Sequence, residues 1–373
     1  MEFSAMTLNM FFPSDDSPQD DHRVISLATE QSLWIADLGL NPWYTDHHFR
    51  GPWHSNPLQF AAYIAPQIPR DRYIGFGVLS VPFYHPVRLV ESMNLLDQLT
   101  QGRVLFGLGS GWPGTEADGL GVDAEYHGSG RAAEDTLDVM QKLWAFQNGD
   151  PEYSFEVGSN RGKIKRRVMP TSYTKRHPVI IRTASREASL IKAAQKGWSA
   201  FLGIFGGDVR KQAHDYRTAL ASSNHPQEVV EECLRWCTAD WLSIVVADTD
   251  AEARERARMA QAEQLAIRRN YIARHGKIDG PVIKPKVAQS TADEYAAGGD
   301  MKAIIAGSPE TVAARVQELV DLGINHLMLR FMGEWVGETR HVCETSIELF
   351  AKEVMPRFKS VPPLRDPLAL KLG

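Results

Sequence analysis

The chain is poor in cysteine and lacks long apolar runs, an excess of charge and a basic leader. Its 373 residues include three cysteines, Cys233, Cys237 and Cys343, so we expect reduced structural thiols and a cytoplasmic location rather than a disulfide framework. No apolar stretch reaches the roughly eighteen residues that a membrane span needs. The formal net charge of −5 argues against a nucleic-acid binder. The acid at Glu2, without a basic region, argues against a secretory signal.

Two kinds of motif are also missing. The glycines of 107–111 follow an apolar segment, but Trp112-Pro113-Gly114 comes next and no helix begins there, so they do not form a dinucleotide-binding fingerprint. The chain has no H-x-H or HExxH pattern. The sequence therefore predicts neither a nicotinamide site nor a metal site.

Apolar, strand-like segments alternate with amphipathic helical ones along the chain. The clearest example runs from Ile74 to Gly111, where strand 74–81, a helix beginning at Pro86 and strand 104–108 form a parallel βαβ unit. The eight predicted strands cover residues 6–12, 42–45, 74–81, 104–108, 178–182, 199–204, 238–247 and 325–331. Most are followed by a helix. An α/β chain with eight such repeats favours a (β/α)8 TIM-type barrel, and a doubly wound sheet stays open as the alternative.

We expect a single domain over residues 1–373 with two insertions, at about 149–176 and 276–306. The first insertion carries two short β-like pieces, 153–157 and 163–168, and is predicted to be a hairpin. Residues 112–130 lack periodicity and predict a long loop after the fourth strand, a common place for function. Asp20 or Asp21 can cap the first helix, and Cys233 and Cys237 are spaced for one helix.

Active sites of such barrels lie at the carboxyl ends of the strands, so polar and glycine-rich residues at those ends are candidates. They come from distant parts of the chain, and the fold would bring them to one mouth: Phe12, Asp46-His47-His48, Gly77–Ser80, Gly107–Trp112, Thr183–Arg186 and Arg330. Trp53 and Trp112 lie on predicted loops, and we expect their aromatic rings to line an apolar substrate pocket.

The adjacent histidines His47 and His48 follow a short strand. Because neighbouring residues of a strand point to opposite faces, only one of them is expected to face the mouth. That histidine could be catalytic or contact substrate, or it could be a structural hydrogen-bonding residue. A metal site would require further ligands at the same mouth.

Two other segments have a structural and a functional interpretation. Thr183-Ala184-Ser185-Arg186 opens a helix after a strand, and free N–H groups there could bind an anion or only form a cap. Gly77, inside a strand, weakens it unless the backbone must approach something closely.

Several motifs together resemble the bacterial luciferase-like family of flavin-dependent monooxygenases. They are Asp46-His47-His48-Phe49, Pro82, His85-Pro86-Val87-Arg88, Asn94-Leu95-Leu96-Asp97-Gln98, Gly102-Arg103 and Gly107-Leu108-Gly109-Ser110-Gly111. The similarity covers most of the chain and is poor in the two insertions.

The resemblance implies a role for each candidate residue. His47 would be catalytic, Gly77-Val78 would hold a non-proline cis peptide that supports the flavin ring, and Gly109 stands where luciferase has a reactive cysteine. The implied flavin-binding residues are Gly77, Val78, Gly109, Ser110, Thr183, Ala184, Ser185 and Arg186. The implied substrate-binding residues are Phe12, His48, Trp53 and Trp112.

The implied activity is that of a two-component monooxygenase. A separate NAD(P)H:flavin reductase would supply reduced FMN, which is favoured over FAD or a deazaflavin. O2 would react as a flavin C4a-peroxide and oxygenate a small, largely apolar or aromatic substrate, and a homodimer is expected. The alternatives are a deazaflavin-dependent oxidoreductase of the same fold, a non-catalytic flavin-binding protein, and a metal-dependent hydrolase using His47 and His48.

Overall fold

Buried parallel strands and the helices that follow them account for most of the chain in the computed structural model. The structure describes residues 1–7, 17–49, 55–112, 114–173, 176–183, 186–203, 208–275 and 304–369. The strands are apolar and buried along most of their length, as expected for a parallel sheet covered on both faces.

The elements alternate in the order that the sequence predicted. The strands are β1 Glu2–Met6, β2 Asn41–Tyr44, β3 Ile74–Ser80, β4 Val104–Gly109, β5 Tyr153–Val157, β6 Asn160–Ile164, β7 Val179–Thr183, β8 Ser199–Leu202, β9 Thr238–Val246, β10 Ile305–Gly307 and β11 His326–Phe331. The helices are α1 Pro18–Asp37, α2 Pro57–Ile64, α3 Pro86–Thr100, α4 Thr115–Gly119, α5 Ala124–Gly128, α6 Arg131–Ala145, α7 Glu187–Lys196, α8 Val209–Ala221, α9 Gln227–Arg235, α10 Asp250–His275, α11 Pro309–Asp321 and α12 Arg340–Leu349.

The strand order confirms the predicted fold class. The main sheet runs β10-β9-β11-β1-β2-β3-β4-β7-β8, and β8 pairs in addition with β9. Without β10, the other eight strands therefore form a closed series, which is the topology of a (β/α)8 barrel. β5 and β6 pair only with each other, as an antiparallel hairpin.

Contacts within the chain divide it into two compact units. The first unit contains the described residues of 1–43, 181–276 and 284–373, and the second contains those of 44–180. In the first unit, the ring of Trp43 lies 5.8 Å from that of Phe201. In the second, Phe76 and Phe106 of β3 and β4 stack at 5.3 Å. The prediction of a single domain stays a prediction.

The N-terminal elements begin earlier than the sequence pattern suggested. β1 starts at Glu2 rather than Met6, because Glu2 to Ala5 form the ladder with β11. The cap of α1 is Ser17, whose Oγ accepts a hydrogen bond from the Asp20 amide at 3.2 Å. The prediction of Asp20 or Asp21 as the cap was wrong, since α1 already begins at Pro18.

Three segments between the predicted strands differ from expectation. The predicted loop 112–130 contains the short helices α4 and α5. The inserted hairpin is confirmed, but its second strand begins at Asn160 because Gly158-Ser159 alone makes the turn. The end of the second predicted insertion, 276–306, reaches into β10, Ile305–Gly307, which pairs with β9, and residues 276–303 lie outside the described part of the chain.

The cysteines are free and buried, but they do not share one helix. α9 ends at Arg235, so it carries Cys233, while Cys237 lies in the turn before β9. Burial raises the pKa of the Cys237 thiol to about 12. Cys237 therefore stays protonated at neutral pH.

Candidate active site

The segment that follows β2 is tied to the end of β3 by a buried carboxyl group. Asp46 is 1% exposed. Its Oδ2 accepts a hydrogen bond from the Ser80 amide at 2.8 Å, and its Oδ1 accepts one from the Tyr84 hydroxyl at 3.0 Å. The Ser80 hydroxyl donates to the Asp46 carbonyl at 3.3 Å. These bonds connect the two strand ends and hold the residues after Asp46 in place.

The Asp46 carboxyl group titrates far from its usual range. Burial raises its pKa to about 7; the charge of Glu116 adds to this effect, and the hydrogen bonds from Ser80 and Tyr84 oppose it. Burial, together with the charge of Asp46, raises the pKa of the Tyr84 phenol well above its ordinary value. Asp46 can therefore gain or lose a proton near neutral pH, whereas Tyr84 stays a hydrogen-bond donor.

His47, the predicted catalytic residue, is buried between an acid and an aromatic ring. It is 8% exposed, and its Nδ1 lies 3.2 Å from Oε1 of Glu116. The Trp112 ring lies 4.9 Å from the imidazole at 53°. The sequence therefore predicted two residues, His47 and Trp112, that the structure brings into contact.

Sequence reasoning missed Glu116. It is 1% exposed and lies on α4, within the segment predicted to be an aperiodic loop. The only signal in the sequence was the abundance of acids after the fourth strand, which did not distinguish Glu116 from its exposed neighbour Asp118.

His48 is half-buried and has a different environment. Its Nε2 lies 3.5 Å from Oδ1 of Asp46, and this nitrogen has no hydrogen-bond partner among the described residues. Burial lowers the pKa of His48; the charge of Glu116 opposes this effect, and that of His47 adds to it. The His48–Asp46 contact is therefore not an ion pair at neutral pH.

The two histidines do not alternate across a strand as expected. β2 ends at Tyr44, so His47 and His48 lie beyond it, and the opposite-faces argument does not apply. Their contacts with acids differ: Nδ1 of His47 lies 3.2 Å from Oε1 of Glu116, within hydrogen-bond distance, whereas Nε2 of His48 lies 3.5 Å from Oδ1 of Asp46 without a hydrogen bond.

The predicted cis peptide between Gly77 and Val78 is present. It lies where the β3–β4 ladder is interrupted, between the pairs Phe76–Phe106 and Leu79–Leu108. Gly77 thus belongs to a stretch of strand whose backbone departs from regular pairing, as the isolated glycine suggested.

Gly109 and Ser110 lie at the end of β4, beside the Asp46 segment. Gly109 pairs with Ser80, which itself bonds to Asp46. The carbonyl of Ser110 accepts a hydrogen bond from Nε2 of His127 at 2.8 Å. These two predicted residues therefore belong to the same unit as His47.

Thr183 and Arg186 belong to the first unit. The Thr183 hydroxyl is buried without a hydrogen-bond partner among the described residues. Arg186 is exposed and is the N-cap of α7, so the helix begins at Glu187 rather than at Ser185. Arg330, at the end of β11, has a pKa lowered by burial and raised in part by Glu334.

Four predicted site residues lie outside the described residues. They are Phe12, Trp53, Ala184 and Ser185. In the part of the chain that is described, no group of three His, Cys, Asp or Glu side chains could hold a metal ion.

None of the described helices is long and apolar enough to cross a membrane.

Comparison with known proteins identifies the family. The model of the luciferase-like monooxygenases matches residues 1–326. The chain belongs to this family. Limonene 1,2-monooxygenase of Rhodococcus erythropolis is 26% identical to this luciferase-like monooxygenase over 323 residues, which cover 85% of the chain and 76% of the relative.

Solved structures share the fold. The monooxygenase RslO1 from Streptomyces bottropensis superposes with a TM-score of 0.72 at 18% identity, covering 96% of this chain and all (100%) of that one. The oxygenating constituent of 3,6-diketocamphane monooxygenase from Pseudomonas putida, in complex with FMN, gives 0.67 at 18% identity, with 96% and 98% covered. Family membership makes this chain a flavin-dependent monooxygenase.

Proposed function

We propose that this luciferase-like monooxygenase uses reduced FMN, supplied by a separate NAD(P)H:flavin reductase, to oxygenate a small, largely apolar or aromatic substrate. Reduced flavin supplies two electrons. One atom of O2 enters the substrate, the other leaves as water, and oxidised flavin is released for reduction elsewhere.

The buried contact of His47 with Glu116 carries the proposal. A histidine beside a carboxylate and under an aromatic ring is held in one orientation and can accept or donate a proton. In this proposal His47 moves that proton during oxygenation. His48 and Trp112 would contact substrate together with Phe12 and Trp53.

Two sets of residues have features that suit a flavin-binding role. The interrupted ladder at Gly77-Val78 and the small residues Gly109 and Ser110 leave backbone available to a ring system. The buried Thr183 hydroxyl has no hydrogen-bond partner among the described residues, and a phosphate oxygen would supply one. We propose Thr183, Ala184, Ser185 and Arg186 as phosphate-binding residues, beside the N-terminus of α7.

Anaerobic titration with reduced FMN, followed by mixing with oxygenated buffer, tests this function. We expect saturable binding and oxygen-dependent reoxidation of the bound flavin. His47→Ala should retain binding and change the course of reoxidation, since it removes the proton-transfer group. His22→Ala, which alters an exposed histidine of α1, is the matched control.

Other outcomes would contradict the proposal in distinct ways. Steady NADH oxidation by the purified chain alone would contradict the need for a separate reductase. Tight binding of a deazaflavin without binding of FMN would contradict the proposed oxygenation and favour hydride transfer instead.

The aromatic surroundings of His47 support an apolar substrate. The partly exposed Trp112 ring lies against His47, and Phe83 lies 5.8 Å from the ring of His48. Turnover of a panel of small terpenoid and aromatic compounds, followed by mass spectrometry with isotopic O2, should show one labelled oxygen atom per product. Oxygenation restricted to highly charged compounds would contradict this substrate class.

An exposed apolar strip supports the proposed homodimer. Leu95 and Leu99 are 50% and 63% exposed, one turn apart on α3, and Tyr63 of the adjacent α2 is 59% exposed. We propose that a second copy covers them. Leu99→Glu should yield monomers in light scattering, whereas the matched control Leu368→Glu, at a residue 59% exposed, should not. A wild-type monomer would contradict the proposal.

A further inference from the structure

Glu116 occupies a position that a short helix can hold only with help from its neighbours. α4 covers five residues, Thr115–Gly119, and follows Gly114, whose φ of 89° favours glycine. At its other end, the Phe49 ring lies so close to Gly119 that an added Cβ would be 2.5 Å from it. Phe49 therefore packs the segment of His47 directly against the helix that carries Glu116.

The contact between Glu116 and His47 joins residues 69 positions apart in the chain. Both side chains are buried, at 1% and 8% exposure, so water does not compete for the contact between them. Other titratable groups also lie close: Asp46 and Tyr84 are hydrogen-bonded to each other, and the charge of Glu116 acts on both Asp46 and His48.

We propose that Glu116 is the positioning residue of His47: its carboxylate accepts the Nδ1–H and selects the tautomer in which Nε2 carries the lone pair. The proposal rests on the catalytic role proposed for His47.

This arrangement makes Nε2 the ring atom that exchanges protons. When Nε2 accepts a proton, a new N–H bond forms there while the bond between that proton and its donor breaks. The imidazolium charge then forms 3.2 Å from the Glu116 carboxylate. Trp112, 4.9 Å from the imidazole, restricts rotation that would exchange the two nitrogens. Glu116 thus acts through its contact with His47.

The tautomer of His47 can be measured in the flavin-free protein by nitrogen NMR of ¹⁵N-labelled histidine. The chain has 12 histidines, so His47→Gln assigns the signal of interest. We expect the wild-type protein to carry its proton on Nδ1 when His47 is neutral. Glu116→Leu should shift His47 to the tautomer found for the exposed His22, while Asp118→Leu, at an exposed acid of the same helix, should leave it unchanged.

The second measurement follows reoxidation of bound reduced FMN by O2 across a range of pH. Glu116→Leu should slow the proton-dependent phase on the order of a hundredfold with unchanged FMN affinity, and Glu116→Asp should restore part of the rate. If Glu116→Leu fails to fold, Glu116→Gln, which keeps the shape but not the charge, takes its place, with a smaller loss expected.

The proposal would be overturned if neutral His47 of the wild-type protein carried its proton on Nε2. It would also be overturned if Glu116→Leu left the tautomer of His47 unchanged. Failure of FMN to bind the wild-type protein would instead overturn the proposed function, while the tautomer result would stand by itself.

Discussion

Replacing His326 with glutamine should remove an acid-sensitive contribution to stability from the core of the first unit. His326 is fully buried, with Ser4 Oγ 2.7 Å from Nε2 and Thr238 Oγ1 2.7 Å from Nδ1. The Thr238 hydroxyl donates its own proton to the Trp236 carbonyl at 2.8 Å. Nδ1–H therefore donates to Thr238, and Nε2 accepts from Ser4. The neutral imidazole satisfies every one of these bonds.

Protonating this ring in the folded state is costly. Burial lowers the pKa of His326 to about 3, and the charge of Arg235 adds to the effect, whereas the ordinary value is 6.5. Between these two values the unfolded chain binds more protons than the folded one, so stability falls as the pH falls. The loss from His326 is about 2 kcal/mol between pH 7 and pH 5, and about 4 kcal/mol by pH 3.

Urea unfolding of the wild-type protein and His326→Gln at pH 7 and pH 5 measures this contribution. Titrations common to both proteins cancel, so the difference in unfolding free energy should shrink by about 2 kcal/mol at the lower pH. His22→Gln, at an exposed site, should follow the wild type at both values. A difference between wild type and His326→Gln that stays constant with pH would refute the reasoning, because His326 would then titrate alike in both states.

Three further predictions concern the candidate active site. The folded-state pKa of Asp46, about 7, exceeds its ordinary value of 3.8, so between these values the folded protein binds more protons than the unfolded chain. Its free energy of unfolding therefore falls by up to about 4 kcal/mol as the pH rises through this range. In urea unfolding, the unfolding free energy of Asp46→Asn relative to that of the wild type should therefore increase as the pH rises. A difference in unfolding free energy that stays constant with pH would contradict this. Tyr84→Phe removes a 3.0 Å hydrogen bond to Asp46 and should cost about 1 kcal/mol and raise the carboxyl pKa further, as read by carbon NMR; an unchanged pKa would argue against the bond. Gly111→Ala should destabilise the protein more than Gly121→Ala, since both have positive φ but only at Gly111 would a Cβ meet Ser80 and the Phe83 ring, within 2.8 Å; equal thermal unfolding temperatures would contradict this packing.

Much of the fold could be predicted because parallel strands buried on both faces leave a strong pattern in the sequence. β3 and β4 are continuous apolar runs, and the helix between them begins with a proline. The errors fell where local pattern and tertiary pairing disagree. β1 uses Glu2 because the ladder with β11 extends to it, although an acid does not suggest a strand.

The candidate site divides in the same way. His47, Gly77 and Gly109 were found because short motifs around them carry the family resemblance. Glu116 was not found, because nothing in its local sequence shows that a residue 69 positions earlier lies against it.

The sequence by itself determined the class of fold, the order of its elements and the family, since apolar periodicity, glycine and proline positions and short motifs are local properties. Only the tertiary structure decided that Glu116 is the acid in contact with His47, because the two residues are 69 positions apart and the fold brings them together and removes them from water. Burial also shifted the pKa of Asp46 to about 7 and that of His326 to about 3, in opposite directions. In both cases the buried low-dielectric surroundings disfavour the charged form, which for a carboxyl group is the deprotonated one and for imidazole the protonated one.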